Sequence, residues 1–211
     1  MANKRNPQRT PGPACTELKE NEDLNCVPSM YYDSIEHYDA ARIASENDDF
    51  YRCNRFKRAA ISAAFMYFEA QLNQLAFAYA ETHQSLLGEI ERDVLEEMET
   101  SLGDSGEIIR KNRFYRTEDR FCFLTLFLTG QKFDRGGELW DRFRTARKLR
   151  DSWTHPKPPF DTWALELQDV RGAIIVVRDM YIRLSEMMDT DPPHWLRPFD
   201  DVLAELRKTA G

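Results

Sequence analysis

The stretch AAISAAFMYFEAQLNQLAFAYA, residues 59–80, decides the fold class of this chain. Apolar side chains recur along it in steps of four and three residues, the spacing that collects them on one side of an α-helix. These side chains are Ile61, Phe65, Phe68, Leu72, Leu75 and Tyr79, with the small Ala59, Ala60, Ala63 and Ala64 beside them. The pattern predicts a long helix from about Asp49 to His83 whose apolar side approaches a neighbouring helix closely.

The same spacing returns in the segment from Thr162 to Met188, which contains a second apolar seam of matching length. This seam consists of Leu167, Val170, Ile174, Val177, Tyr181, Leu184 and Met188. Because an isolated amphipathic helix exposes its apolar side to water, the two long helices are expected to pack together at the centre of the fold.

Shorter segments around these helices also have helical patterns. Residues 120–130, RFCFLTLFLTG, are interpreted as a buried helix that ends at Gly130, because no other segment alternates with the period of two that a partner strand requires. A helix capped by Ser34 is predicted for residues 34–45, and a helix with an acidic face for residues 86–102. Two further helices are predicted, one for the segment that carries Arg150 and one for about residues 194–208. The chain is therefore expected to form an all-α helical bundle of five to seven helices.

Length and composition favour one domain that follows a tail. With 211 residues and 42% apolar side chains, the chain can bury one core. Residues 1–30 contain four prolines and few side chains that a core would take, which is typical of a disordered or extended tail. Residues 31–211 are expected to form the single helical domain.

The charge balance excludes a protein that binds any nucleic acid through a global positive field. The chain has 29 basic and 36 acidic residues, a net charge of −7, so a contact with RNA would have to be local. The basic run RCNRFKR, residues 52–58, is interpreted either as the solvated start of a helix or as a row of cations that contacts an RNA backbone.

The sequence contains no recognisable targeting or metal-binding signal. No apolar run approaches the roughly 20 residues of a membrane span, and no apolar segment follows the basic start as in a signal peptide. The four cysteines match no zinc spacing. His37 and His83 have no second ligand at helical spacing, and His194 lies in the predicted turn DPPHW. A cytoplasmic protein with reduced thiols, no membrane contact, no metal and no cofactor is expected.

The stretch LRDSWTHP, residues 149–156, places an arginine among apolar side chains and a histidine where a helix must stop. At 100° per residue, Arg150 projects from the middle of an arc of roughly 120° that is formed by Leu139, Phe143, Ala146, Leu149 and Trp153. An unpaired guanidinium in a core costs several kcal/mol. Arg150 therefore needs either an acidic residue inside the bundle or an anion from outside.

This stretch resembles the Arg-polar-x-x-x-His motif of the HEPN superfamily. The resemblance includes AAISAAFMYFEAQLNQLA upstream, the connecting LTGQKFDRGGELWDRF and the long downstream helix, and it covers roughly residues 35–190. It implies an α-helical bundle that forms a homodimer in which two copies of the motif face each other. Many members of this superfamily are metal-independent ribonucleases that act as toxins, in some cases with an antitoxin partner, or in anti-phage defence, whereas others are inactive dimerisation or binding modules.

The residue types in the motif suit RNA cleavage without a metal. Histidine titrates near neutral pH, so His155 is the candidate to take the proton of the 2′-hydroxyl or to protonate the leaving 5′-oxygen. Arg150 would meet the charge that develops on the phosphoryl oxygens, and Pro156 would turn His155 out of helical geometry. Asp151, where the superfamily often has asparagine, would orient the imidazole but also repel phosphate. Lys157 would bind substrate by extending the positive charge.

A purely structural interpretation uses the same residues. Glu69 lies at the margin of the first apolar seam and is the candidate counter-charge of Arg150, while His155 would satisfy the last carbonyl groups of its helix. The two interpretations are compatible, since Glu69 would align Arg150 and leave one edge of the guanidinium for phosphate. The alternative function is a catalytically inactive HEPN-like module that holds a dimer or binds a nucleotide or protein partner.

Overall fold

The computed structural model describes residues 26–154 and 165–209. In chain order these residues form helices α1 (Cys26–Glu46), α2 (Phe50–Thr82) and α3 (Glu89–Leu95), strands β1 (Met98–Leu102) and β2 (Ile108–Asn112), and helices α4 (Thr117–Thr129), α5 (Glu138–Thr154), α6 (Leu167–Met187) and α7 (Phe199–Thr209). The predicted all-α class is confirmed, with one small hairpin added to the helices. None of the helices in these two ranges combines the length and the apolar character that a membrane crossing requires.

The two long helices predicted from the sequence are α2 and α6, and they pack against each other. α2 begins after Asp49, whose carboxylate accepts a hydrogen bond from the backbone N–H of Arg52 at 3.0 Å. The middle of each predicted seam is buried, with exposures of at most 1% at Phe65, Phe68, Leu72, Val170, Ile174, Val177 and Leu184, whereas Leu75, Tyr79, Leu167 and Met188 are partly buried. α1 lies along α2 and α5 lies along α6, so both long helices sit in the middle of the bundle.

An aromatic cluster fixes the position of α5 against α2. The ring of Phe143 on α5 is fully buried, and its centroid lies 5.2 Å from that of Phe68 and 5.9 Å from that of Phe65. Trp140, one turn earlier on α5, lies 5.9 Å from Phe143. Tilted aromatic pairs at these distances add to the free energy of simple burial. The packing of Phe143 against Phe65 and Phe68 therefore sets the position of α5 along α2.

The segment interpreted as a buried helix rather than a strand is α4, so its helical state is confirmed, although only part of the helix is buried and Leu126 is 43% exposed. The helix ends at Gly130, which has a left-handed φ of 70° and whose N–H donates to the carbonyl oxygen of Leu126 at 2.9 Å. A residue with a Cβ rarely adopts this backbone conformation, so glycine is the residue expected at such a helix end.

The prediction of one helix over residues 86–102 is wrong beyond Leu95. Glu97 has a positive φ of 52°, which ends the helical path, and residues 98–102 pair antiparallel with residues 108–112. The acidic run is not only a solvated helix face. Arg110 on β2 donates to Asp93 at 2.9 Å and to Glu96 at 3.1 Å, so the basic strand neutralises the end of α3.

Two predicted boundaries also differ from the structure. α1 begins at Cys26 instead of Ser34, so residues 26–30 belong to the first helix and not to the tail. Ser34 is fully buried inside α1 and donates to the carbonyl oxygen of Tyr31 at 2.6 Å instead of capping the helix. α7 begins at Phe199 rather than near residue 194, because the preceding segment is held by tyrosine hydroxyls: Tyr31 donates to the carbonyl oxygen of Arg197 at 3.0 Å.

Asp39 connects the first and last helices, and this connection predicts a pH dependence of stability. Its Oδ1 accepts from Nη2 of Arg207 at 2.8 Å and from Nε of Arg42 at 3.0 Å. Burial would raise the pKa of Asp39, but the hydrogen bonds from these two arginines outweigh it and hold the pKa below its usual value. The carboxylate thus stabilises the folded state above the ordinary aspartate pKa of about 4, and the contribution is lost as the pH falls through the lowered pKa.

Asp39→Asn is therefore expected to lower the free energy of unfolding by about 0.5–1 kcal/mol at pH 7, since the ion pairs are partly solvated. Urea unfolding at pH 7 and near pH 3 measures the difference, which should shrink at the acid pH. Asp104→Asn, in the exposed hairpin turn, serves as the control and should change little at either pH. An equal loss of stability at both pH values would contradict an ionic origin.

Candidate active site at the end of α5

Arg150 lies in the last turns of α5 with its side chain directed at α2. Its guanidinium carbon is 5.0 Å from the centroid of the Phe65 ring, a cation–π distance. The neighbouring positions Phe143 and Ala146 on the same side of α5 are 0% and 5% exposed. Arg150 thus projects from the apolar side of its helix, and its position is set by the aromatic cluster beneath it.

Glu69 supplies the counter-charge on α2. Its Oε1 accepts from Nη1 of Arg150 at 2.8 Å and from the hydroxyl of Thr117 at 2.9 Å. Thr117 is the first residue of α4, so three helices contribute to one hydrogen-bonded group. The acidic residue that the sequence placed at the margin of the first seam is therefore the partner of Arg150.

Asp151 lies on the other side of the guanidinium. Its Oδ1 accepts from Nε of Arg150 at 3.2 Å and from Nη2 at 3.1 Å. The sequence also predicts that Asp151 orients the imidazole of His155, which lies outside the described residues. The edge of the guanidinium that a phosphate would approach is thus occupied by a carboxylate in this arrangement.

The structure places three of the five predicted site residues, Arg150, Asp151 and Glu69, in one cluster. The other two, His155 and Lys157, lie outside the described residues. His155 follows Thr154, the last residue of α5, directly in the sequence.

The side chains of the cluster are partly exposed to solvent. The side chain of Arg150 is 27% exposed, and those of Glu69 and Asp151 are 41% and 42% exposed. Ion pairs with this exposure contribute about 0–1 kcal/mol. A guanidinium whose ion pairs are partly solvated has the chemistry to form paired hydrogen bonds with a phosphate group.

Arg147 extends the cluster, and the sequence analysis did not identify it. Its Nε lies 2.8 Å from Oε1 of Glu118 on α4, and its Nη1 lies 3.8 Å from Oδ2 of Asp151. Charges of opposite sign thus alternate through Glu69, Arg150, Asp151, Arg147 and Glu118. The spacing of four residues between Arg147 and Asp151 was a readable signal, but the pairing with Glu118 depends on how α4 packs on α5.

Arg120 holds α4 in the position that brings Thr117 to Glu69. The Arg120 side chain is 8% exposed, lies 3.1 Å from Oε2 of Glu97 and donates to the side chain of Asn73 on α2. Burial lowers the pKa of this arginine below its usual value, although the carboxylates of Glu97 and Glu69 act in the opposite direction. An arginine remains cationic at neutral pH after such a shift, so Arg120 acts as a charged tie between α4 and α2.

The basic run at the start of α2 is divided between surface and core. Arg52 and Arg55 lie over the ring of Phe56 at 5.7 and 5.4 Å, and Arg58 lies over the ring of Trp153 on α5 at 5.8 Å. Lys57 is buried instead, at 9% exposure, and donates to the carbonyl oxygen of Leu165 at 2.7 Å. Arg52, Arg55 and Arg58 are exposed cations, and Arg58 lies next to the end of α5.

No group of three or more histidine, cysteine or carboxylate side chains that could hold a metal ion occurs in residues 26–154 and 165–209. The chain was also compared with known proteins. No protein-family model, no curated protein and no solved structure matches it. The candidate site must therefore be interpreted from its own chemistry.

Proposed function

We propose that this protein is a metal-independent endoribonuclease of the HEPN type, which acts in the cytoplasm as a toxin or an anti-phage defence component. The observation that carries the proposal is the solvent-accessible Arg150 at the end of α5, held between Glu69 and Asp151. His155 follows five residues after this arginine, which completes the Arg-polar-x-x-x-His motif in the sequence.

In the proposed reaction, the 2′-oxygen of the RNA attacks the adjacent phosphorus and the bond to the 5′-oxygen breaks. His155 takes the proton of the 2′-hydroxyl or gives one to the departing 5′-oxygen. The products are a 2′,3′-cyclic phosphate and a free 5′-hydroxyl, so no water or metal enters this step. Arg150 stabilises the charge on the phosphoryl oxygens, which is the main task of a cation in such a site.

Before substrate binds, the carboxylates of Glu69 and Asp151 hold the side chain of Arg150 in place. Glu69 keeps its hydrogen bond to Nη1 while phosphate replaces Asp151 on the Nε and Nη2 edge. Once displaced, Asp151 is available to accept the imidazole N–H of His155, the role that the sequence suggested. Lys157 would add positive charge for the substrate.

A homodimer with the active site at the interface, with or without an antitoxin partner, is proposed from the resemblance to the HEPN superfamily. Met66 and Phe77 on α2 support an interface because they are 54% and 62% exposed. They are separated by about three helical turns and so lie on nearly the same side of α2. Exposed large apolar side chains that share a side of a helix are typical of contact surfaces.

The proposal predicts that RNA cleavage persists without metal. The purified full chain, incubated with transfer RNA, is expected to cleave at a rate that changes by no more than about twofold when EDTA is added, because His155 and Arg150 supply the proton transfer and the charge. Product ends identified by mass spectrometry should be 2′,3′-cyclic phosphates. Cleavage that stops in EDTA and returns with Mg²⁺, or a folded protein without activity on any RNA, would contradict the proposal.

A second function is favoured by the ion pairs themselves. Glu69 and Asp151 already compensate the charge of Arg150, as expected for a catalytically inactive module in which this arginine is structural. In that case the folded protein cleaves no RNA, and substitution of Arg150 affects only stability or dimerisation.

A further inference from the structure

A pocket of about 320 Å³ lies between the start of α4 and the outer side of α5. Its lining is strongly charged and consists of Arg116, Glu118, Asp119, Arg135, Trp140, Arg144, Arg147 and Lys148. Five of these eight residues are basic and two are acidic, an excess of three positive charges on a chain whose net charge is −7. The pocket therefore concentrates positive charge that the protein as a whole does not carry.

Most of these cations have no counter-charge within the part of the chain that the structure describes. Arg147 is paired with Glu118 at 2.8 Å, and Arg135 lies over the ring of Trp140 at 5.1 Å. Arg116, Arg144 and Lys148 form no ion pair with a described carboxylate, while sharing one concave surface. Like charges held close together repel one another, so an anion that enters the pocket relieves an unfavourable interaction.

We propose that this pocket binds a compact polyphosphate group, such as the phosphate chain of a nucleoside di- or triphosphate. Guanidinium groups bind phosphate oxygens through paired hydrogen bonds, and several around one cavity match a ligand with several charges. The volume is that of a small-molecule site. A nucleic-acid backbone, by contrast, is usually followed by cations along an extended groove.

The pocket is connected to the Arg150 cluster through one side chain. Arg147 lines the pocket, and its Nη1 lies 3.8 Å from Asp151, which accepts from Arg150. A phosphate that draws Arg147 into the pocket would weaken its contact with Asp151. The proposed site is nevertheless independent of the ribonuclease proposal, since it needs no catalytic residue.

Titration calorimetry of the full chain with sodium tripolyphosphate at an ionic strength of about 50 mM, where surface charges are weakly screened, tests the proposal. We expect saturable binding at one site, and a change in tryptophan fluorescence because Trp140 lines the pocket. Arg144→Gln and Lys148→Gln should each weaken binding by about tenfold or more, which is about 1.4 kcal/mol. If the natural ligand is a nucleotide, ATP should bind as tightly as tripolyphosphate. If the natural ligand is free polyphosphate, ATP should bind more weakly than tripolyphosphate.

Arg142→Gln is the matched control. Arg142 carries the same charge on the same helix, is exposed and does not line the pocket, so its removal should change the dissociation constant by less than about twofold. Equal weakening by Arg142→Gln would show binding to net charge and would overturn the proposal. The absence of saturable binding would also overturn the proposal. So would a single-stranded oligonucleotide that binds more tightly than tripolyphosphate and loses affinity in the same variants.

Circular dichroism confirms that each variant is folded. Because binding is measured without RNA cleavage, this result is separate from the outcome for the proposed ribonuclease.

Discussion

The proposed RNA cleavage is expected to fall by about 10²–10³-fold in kcat/KM when Arg150 is replaced by alanine, the loss that follows when one preorganised donor to a developing negative charge is removed. The guanidinium is held over Phe65 and by Glu69, so it is already oriented before substrate arrives. Alanine removes both the charge and this orientation. The rate is measured on a defined RNA substrate in EDTA, with wild-type and variant protein prepared in parallel.

Arg150→Lys separates charge from geometry, because lysine keeps the positive charge but cannot form the paired hydrogen bonds. We expect its activity to lie between those of the wild type and the alanine variant. His155→Ala should also be inactive, while His194→Ala, at an exposed position between α6 and α7, should retain activity. A folded Arg150→Ala protein with wild-type activity would contradict the assignment of Arg150. Loss of activity through unfolding is recognised by thermal denaturation of the same samples.

Phe143→Ala is expected to have the largest effect on stability, a loss of about 3–5 kcal/mol in the free energy of unfolding. The Phe143 side chain is fully buried and contacts the rings of Phe65, Phe68 and Trp140. Its truncation leaves a cavity at the point where α5 meets α2. For a chain of this size the midpoint of thermal unfolding should fall by roughly 6–20 °C.

Phe114→Ala is the control for this substitution. Phe114 is the same residue type but 87% exposed, so the loss should stay within about 0.5 kcal/mol. Chemical denaturation monitored by circular dichroism compares the two variants. If both proteins lose similar stability, the aromatic cluster does not form the core that positions α5.

The helical seams explain why most of the fold was predictable. The steps of four and three residues in α2 and α6 are periodic over many turns, so the identity of these helices did not depend on their neighbours. Gly130 marked the end of α4 through its own conformational preference. Such signals are local, and local signals can be read from a single sequence.

The hairpin was missed because its strands lack the alternation that marks a half-buried sheet. Every residue of β2 is exposed, so no apolar side had to be encoded in residues 108–112. β2 is held by its backbone pairing with β1, to which Arg110 adds ionic contacts with Asp93 and Glu96. Charge pairing between distant segments leaves no periodic signal in the sequence.

In the candidate site, too, the features encoded within one helix were predictable and the contacts between helices were not. Arg150 and Glu69 were identified because each stands out from a periodic apolar pattern on its own helix. The contact of Arg147 with Glu118 and the charged pocket beside it were not identified, since they exist only where α4 and α5 meet. The contact of Asp151 with Arg150 was also not predicted, because adjacency in the sequence does not determine which way a carboxylate turns.

The buried ammonium group of Lys57 joins the chain just ahead of α6 to α2. Near the end of α5, Arg150 contacts Glu69 on α2, and Leu165, two residues before α6, accepts a hydrogen bond from Lys57 on the same helix. One continuous helix thus sets the span between the two anchor points. The end of α5 and the chain ahead of α6 therefore keep their separation as long as both contacts to α2 are intact.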